Sequence, residues 1–320
     1  MKVLIGPNYF GLEKCISEFA PEYPDLDFVF CSEPDKLAEE IADAEIFMGW
    51  LRRDIFLKAK KLKWIQSPSS GINYYTAIPE LVESDVLLTS ARGTHGGCLA
   101  DHAFALILAF TRHIKEFVLH QQERCWSARM LRPQMRELTG ETIGIIGFGT
   151  IGRTIARRAQ AFDMRILAVD VYPVEKPDYV ESLSDLSGLD TLLRESDYVV
   201  VTVPYTPDTD KMIGAREIAL MKPTALLIGL SRGGIIDESA LIPALREKRI
   251  AGAGMDVFEQ EPLPEDSELW DIENLLITPH VAGGSQYECD FILGIFKENI
   301  DRFLRGEFPL RNQIDKKQGF

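Results

Sequence analysis

The chain has too few cysteines, too widely spaced, for a covalent frame. Five occur among 320 residues, at positions 15, 31, 98, 125 and 289, an odd number with no Cys-x-x-Cys pair. This argues against a disulfide scaffold and a cysteine-built zinc site, and suits reduced thiols in a cytoplasmic compartment. Histidine is equally sparse. His95 and His102 suggest a metal pair, but no set of acids or cysteines completes a site around them, so no metal is expected. His113 and His120 read as helix-surface residues. No apolar run reaches the ~18 residues of a membrane span. The opening Met1-Lys-Val-Leu-Ile leads into a strand and then Gly6-Pro7, not into a signal peptide. Positive charge is in deficit: the net charge of −14 makes nucleic acid and anionic membrane poor partners. The one basic cluster, Lys58 to Lys63, alternates with Ala59 and Leu62 and reads as a solvated helix end. There is no internal repeat and no low-complexity tract.

What is present is apolar residue enough, 46%, for two cores of ordinary size. The first ~95 residues alternate strand and helix signals: strands at 3–5, 27–31, 46–48, 64–66 and 86–89, helices at 11–20 and 35–42, with Pro and Gly between them. That pattern predicts a compact α/β unit with a parallel sheet. From Gly97 to about His120 one long helix is expected, apolar on nearly every side through its middle and therefore covered all round. Further strands are expected at 142–146, 165–169, 198–203, 225–230, 253–257 and 275–278. A final helix is expected from Gln286 to Arg305, with Phe291, Ile295, Phe296, Ile300, Phe303 and Leu304 on its apolar stripe and Gly306 as its stop.

The segment Thr142-Ile-Gly-Ile-Ile-Gly147-Phe-Gly149-Thr150-Ile151-Gly152 is a dinucleotide-binding fingerprint in the right context, a buried strand before it and a helix after it. Gly147 permits the tight turn, Gly149 the approach of a pyrophosphate, and Gly152 close helix–strand packing. The amides of Thr150 and Ile151 would face the phosphates at a helix N-terminus. The next strand ends at Asp170, eighteen residues beyond Gly152, where a carboxylate can bind both ribose hydroxyls of NAD and repel the 2′-phosphate of NADP. NAD is favoured over NADP, with Arg165 and Lys176 near enough in sequence to complicate that preference. The fingerprint begins only after some 140 residues, so a cofactor domain (97–285) is expected to be inserted in a second domain (1–96 and 286–320).

Three groups fall at or just beyond strand ends of the cofactor domain, where open α/β sheets place ligands: Arg232 in Leu230-Ser-Arg-Gly-Gly, Glu261 before Pro262, and His280 in Thr-Pro-His. Each alone is unremarkable as a loop residue. Together they suit hydride transfer to a ketone, which needs a proton donor for the developing alkoxide and a cation for an adjoining carboxylate. His280 can be the acid or base, Glu261 can tune and orient it, and Arg232 can fork two hydrogen bonds to the substrate carboxylate. Asp256 can take a hydrogen bond from a nicotinamide carboxamide, and Leu230 completes the cofactor-contacting set. In the first domain Trp50, Arg52 and Arg53 follow a strand. If Arg52 or Arg53 reaches the ligand, an anionic or polyhydroxylated substrate is favoured.

At these residues the chain resembles the D-isomer-specific 2-hydroxyacid dehydrogenases, almost end to end. The likeness is strongest in GETIGIIGFGTIGRTIARRAQAFDM, ALMKPTALLIGLSRGGIIDESALIPAL, GAGMDVFEQEPLP and LWDIENLLITPHVAGGS. The resemblance implies two doubly wound α/β domains, a Rossmann NAD-binding domain inserted into a flavodoxin-like substrate domain. It implies Arg232, Glu261 and His280 as the catalytic set. It further implies a substrate loop at Ser69-Ser70-Gly71 whose amides bind the carboxylate, Val203 and Pro204 beside the adenine, and homodimerisation through the cofactor domain. The chain departs from the family at Gly229, Thr150 and Asp101, where Asn, Arg and Glu are frequent; the Thr150 change removes one phosphate contact. The implied activity is interconversion of 2-oxo and D-2-hydroxy acids, with glyoxylate and hydroxypyruvate as first substrates. The alternatives are a formate- or phosphite-type dehydrogenase on the same scaffold, and an NAD(H)-sensing corepressor-like binding protein. Against the last, only about fifteen residues follow the final helix.

Overall fold

The computed structural model describes residues 1–8, 11–172 and 174–317. The chain divides into two compact units, Met1–His95 with Ser285–Phe320, and Gly96–Gly284. Each is built on one parallel sheet.

In the first unit the strands are β1 (Lys2–Ile5), β2 (Asp27–Phe30), β3 (Ile46–Met48), β4 (Trp64–Gln66) and β5 (Leu87–Thr89), in the order β2-β1-β3-β4-β5. This is the flavodoxin-like order. Successive residues serve opposite faces, as the pleat requires. Leu4, Phe47, Ile65 and Leu88 enter one core. Val3, Ile5, Ile46, Met48 and Trp64 enter the other. The final helix, Glu288–Arg305, covers that second face: Phe296 and Phe303 lie against Trp64 at ring-centre distances of 5.5 and 5.6 Å. Trp64 is wholly buried, and its indole N–H is satisfied by Thr89 Oγ1 at 2.8 Å. Gly306, with φ 68, ends the helix as expected.

In the second unit β6 (Thr142–Ile146), β7 (Arg165–Val169), β8 (Ser182–Ser184), β9 (Tyr198–Val201), β10 (Leu226–Gly229), β11 (Gly252–Met255) and β12 (Leu275–Ile277) form a sheet in the order β12-β11-β10-β9-β6-β7-β8. Its first six strands have the Rossmann order, with β12 added at one edge and the reversal of winding between β6 and β9. Every residue of β6, β9, β10 and β11 is buried, which is why they read as continuous apolar runs instead of alternating ones. The Thr150–Ala161 helix follows β6 and packs back on it through Ile155, Ala156 and Ala159.

Three expectations need correction. The long helix stops at Thr111, and a second begins at Ile114, with His113 between them in the left-handed region at φ 53. Helical spacing of apolar residues continues across the break, but burial does not: Ile114, Val118 and Leu119 are exposed, so no core contact propagates the first helix. His120 is not a bare surface residue, since its Nδ1 lies 2.6 Å from Ser127 Oγ. On the final helix Phe291 and Leu304 are exposed; the covered face runs through Ile292, Ile295, Phe296, Asn299 and Ile300. Strand β8 was not expected at all, because Ser-Leu-Ser at a sheet edge carries no apolar signal.

At Gly152 the helix lies too close to the preceding strand and turn for a side chain. A Cβ there would overlap the carbonyl oxygen of Gly147 and stand 3.1 Å from Ile145 Cγ2. Because the obstacle is backbone, Gly152→Ala is expected to cost about 1–3 kcal/mol through overpacking. A melting curve is expected to fall by about 2–4 °C per kcal/mol. An unchanged melting temperature would show that the helix can slide away from the strand without penalty.

Candidate active site

Strands β10, β11 and β12 are neighbours, so the loops leaving their C-terminal ends are neighbours too. The first loop carries Arg232, which is partly buried and donates from Nη1 to the carbonyl of Ser231 at 2.6 Å. Burial pulls its pKa below the usual arginine range, and the charge of Glu261 opposes that shift. The next residue is Gly233. A side chain there would run into the carbonyl of Phe258, so the β10 and β11 loops touch only because position 233 has none.

The β11 loop bends back so that Glu261 Oε1 accepts the amide of Phe258 at 2.9 Å. Its other oxygen, Oε2, lies 2.5 Å from His280 Nδ1 on the β12 loop. Half-burial would raise the Glu261 pKa. The hydrogen bonds from His280 and Phe258, with the charges of His280 and Arg232, outweigh burial and hold it below the usual glutamate range. An ionised carboxylate only accepts, so Nδ1 carries a proton. The imidazole is left to exchange a proton at Nε2, which has no partner among the described residues; the side chain is 46% exposed.

His280 has φ 52, the left-handed region, and its loop is held there by Asp256. The Asp256 carboxylate is 1% exposed. It accepts Thr278 Oγ1–H at 2.6 Å and the amides of Val281 and Ala282 at 2.9 Å each. Its backbone carbonyl accepts the amide of His280, also at 2.9 Å. Sequence reasoning missed Thr278 and the Phe258 amide. The amide leaves no trace in residue type, and Thr278 had only its place beside Pro279-His280 to point to it.

The residues around Gly149 fit a dinucleotide. Nothing lies within 4 Å of where a Gly149 side chain would begin. Arg153 is the first amide of the following helix bonded back into it, to Gly149 O at 2.9 Å, so the amides of Thr150, Ile151 and Gly152 precede the intrahelical ladder. Asp170 is held by the amides of Phe148 at 2.6 Å and Tyr172 at 3.0 Å. Neither basic residue that complicated the cofactor preference is free for a phosphate. Arg165 opens β7 at the end opposite Asp170 and is paired with Glu181 and Glu195, both at 2.7 Å. Lys176 donates to Val180 O at 2.7 Å. Val203 and Pro204 follow β9, the first partly exposed and the second exposed, whereas Leu230 is buried in the core under its loop. Asp101 pairs with Arg158 at 2.8 Å.

In the first unit Ser69, Ser70 and Gly71 form a turn after β4. The Ser69 amide donates to Ser67 Oγ at 3.1 Å and the Gly71 amide to Ser69 Oγ at 3.2 Å, while the Ser70 amide has no acceptor among the described residues. Arg52 is spent on Asp54, at 2.8 and 3.0 Å, and Arg53 on Glu80.

A proton-exchanging imidazole beside a nucleotide-accepting parallel sheet is the equipment of a nicotinamide-dependent oxidoreductase. Known proteins narrow the class. The profile described as "D-isomer specific 2-hydroxyacid dehydrogenase, NAD binding domain" matches residues 104–282. A glyoxylate reductase of Korarchaeum cryptofilum is 36% identical over 281 residues, 85% of this chain and 83% of that one. A glycerate dehydrogenase of Methylorubrum extorquens is 31% identical over 307 residues, 93% of this chain and 94% of that one. A crystal structure of a D-isomer-specific 2-hydroxyacid dehydrogenase family protein from Aeromonas salmonicida superposes with a TM-score of 0.86 at 30% identity, covering 98% of each chain. The chain belongs to the D-isomer-specific 2-hydroxyacid dehydrogenase family. It is an oxidoreductase acting on CH–OH groups, with a nicotinamide dinucleotide as cofactor.

The depressed Glu261 pKa has a pH signature. Its stabilising contribution is complete above the ordinary value of 4.5 and is lost as pH falls through the lower folded value. The stability difference between the wild type and Glu261→Gln, read by urea denaturation, is expected to shrink below pH 4.5. A difference that stays constant from neutral pH to pH 3 would contradict the ionised pairing.

Proposed function

We propose that the protein interconverts a small 2-oxo acid and the corresponding D-2-hydroxy acid, with glyoxylate and hydroxypyruvate as the leading substrates and NAD preferred to NADP. The observation that carries this reading is the 2.5 Å pair of His280 Nδ1 and Glu261 with partly buried Arg232 on the adjoining loop. The nicotinamide supplies the hydride in one direction and accepts it in the other. His280 delivers the proton to the carbonyl oxygen from Nε2, or removes it from the hydroxyl, while Glu261 keeps the ring oriented and compensates its positive form. Arg232 binds the substrate carboxylate as a two-pronged cation, its partial desolvation strengthening that attraction. The Ser69–Gly71 turn, whose Ser70 amide has no acceptor among the described residues, is offered as the substrate loop of the first unit. Arg52 is given a lesser part, because Asp54 already neutralises it. Among the described residues Asp256 Oδ2 accepts only the Ala282 amide, which leaves a lone pair for the nicotinamide carboxamide. Asp170 binds the ribose hydroxyls, and Gly147, Gly149, Thr150, Ile151, Gly152, Val203, Pro204 and the Leu230 backbone line the rest of the dinucleotide.

The names of the curated relatives support the choice of substrates. A homodimer through the 96–284 unit is supported by the exposed apolar side chains Ile114, Val118, Leu119, Trp126 and Met130, a surface that water covers poorly. The absence of a disulfide among the described cysteines is compatible with a cytoplasmic setting.

Loss of NADH absorbance with glyoxylate, hydroxypyruvate and a panel of other 2-oxo acids tests the activity. Tight NADH binding with turnover of none of them would overturn it. His280→Ala is expected to lower kcat by about 10²–10⁴-fold while leaving NADH affinity nearly unchanged. In a second measurement Asp170→Ser is expected to raise kcat/KM with NADPH relative to NADH. An unmoved ratio would show that another group selects the cofactor.

A further inference from the structure

His102 has no part in the chemistry described so far, yet its contacts lead to the catalytic loop. It lies on the Gly96–Thr111 helix, where Cys98, His102, Leu106 and Phe110 recur every four residues and share one face. That face runs along β11: Phe110 Cε1 stands 2.9 Å from the Cβ position of Gly252, and Leu106 Cβ stands 3.1 Å from that of Gly254. One turn beyond, His102 Nε2 lies 2.9 Å from Thr278 Oγ1. A further turn on, Cys98 Sγ reaches the Gly283 carbonyl at 3.1 Å. Both ends of the 278–283 segment that bears His280 therefore rest on one helix face.

The protons in this cluster can be assigned from the donors and acceptors. The Asp256 carboxylate acts as acceptor, taking two amides and the Thr278 hydroxyl. The one hydrogen of Thr278 Oγ1 is committed to Asp256 Oδ1, so His102 must be the donor to Thr278 and carries its hydrogen on Nε2. Nε2 is also 3.8 Å from Asp256 Oδ1, an attraction that reinforces the same order.

We propose that His102 is a positioning residue for the reaction, holding the Thr278 hydroxyl on Asp256 and so fixing the loop on which His280 stands. This rests on His280 as the acid–base group. The loop needs fixing because His280 holds a left-handed backbone that a β-carbon disfavours, with its side chain nearly half exposed. Without the His102 donor the hydroxyl loses the second partner that fixes its orientation, its bond to Asp256 is less firmly held, and the imidazole is held less closely at its working position. Misplacement by about 1 Å is enough to cost about 10²-fold in rate.

The test combines kinetics with histidine NMR on the full-length protein. His102→Ala is expected to lower kcat about 10- to 100-fold, with substrate KM within about threefold and NADH affinity unchanged. His102→Gln, whose amide nitrogen can donate to Thr278, is expected to recover most of the loss. Thr278→Val is expected to match His102→Ala, and the double variant to be no worse than either. In ¹⁵N-histidine spectra of the wild type, His102 is expected as the Nε2-protonated tautomer, and Thr278→Val is expected to abolish that preference. Wild-type kcat in His102→Ala, a Gln variant no better than Ala, or an Nδ1-protonated His102 would each overturn the proposal. Should His102→Ala fail to fold, the Gln variant and the spectra decide alone. A protein that turns over no 2-oxo acid would refute the proposed function, while the tautomer would still report on the His102–Thr278–Asp256 order.

Discussion

The contact between His280 Nδ1 and Glu261 is the interaction on which the rest of the site depends, and it can exist only where three strand-end loops converge. His280 arrives from β12, Glu261 from β11 and Arg232 from β10, three adjacent strands whose parallel register brings their C-terminal ends to one edge. Two close approaches make the convergence work. Gly233 lets the β10 loop press against the Phe258 carbonyl, and the Phe258 amide caps the glutamate that faces the histidine. The pairing thus uses backbone as much as side chains, and substituting the glycine would disturb it as surely as substituting the glutamate.

Charge is distributed sparingly around this edge. A net charge of −14 leaves many acids, yet those at the site have specific donors: Asp256 two amides and a hydroxyl, Glu261 an amide and an imidazole, Asp170 two amides. Basic residues that could compete for an anionic ligand are engaged elsewhere. Arg165 is bound by two glutamates, Arg52 by Asp54 and Arg53 by Glu80. Arg232 has no carboxylate at salt-bridge distance among the described residues, only the Ser231 carbonyl.

Much of the fold was legible because parallel strands buried on both faces leave short, continuous apolar runs. Every strand of the first unit was placed to within a residue or so, as was β6 with its glycines. What escaped detection escaped for physical reasons. Strand β8 is Ser-Leu-Ser at an edge, held by backbone pairing with β7 that needs no apolar side chain. The break at His113 is hidden because helical spacing continues through it while the core beneath ends. The exposure of Phe291 follows from which face the final helix turns toward Trp64, a rotation that spacing alone does not set.

Residue types and their order determined the cofactor fingerprint, the acid that ends the next strand and the position of Arg232, Glu261 and His280 just beyond strand ends, because glycine positions and strand periods are local properties. Only the tertiary structure decided what those residues touch. It assigned Arg165 to the far end of β7, away from Asp170, and Asp256 to the loop of His280. It also brought His102, which in sequence suggested only an incomplete metal pair, within 2.9 Å of Thr278. These are contacts between elements separated by as many as 176 residues. They depend on sheet order and helix rotation, which are set by packing of the whole unit and not by any local stretch of chain.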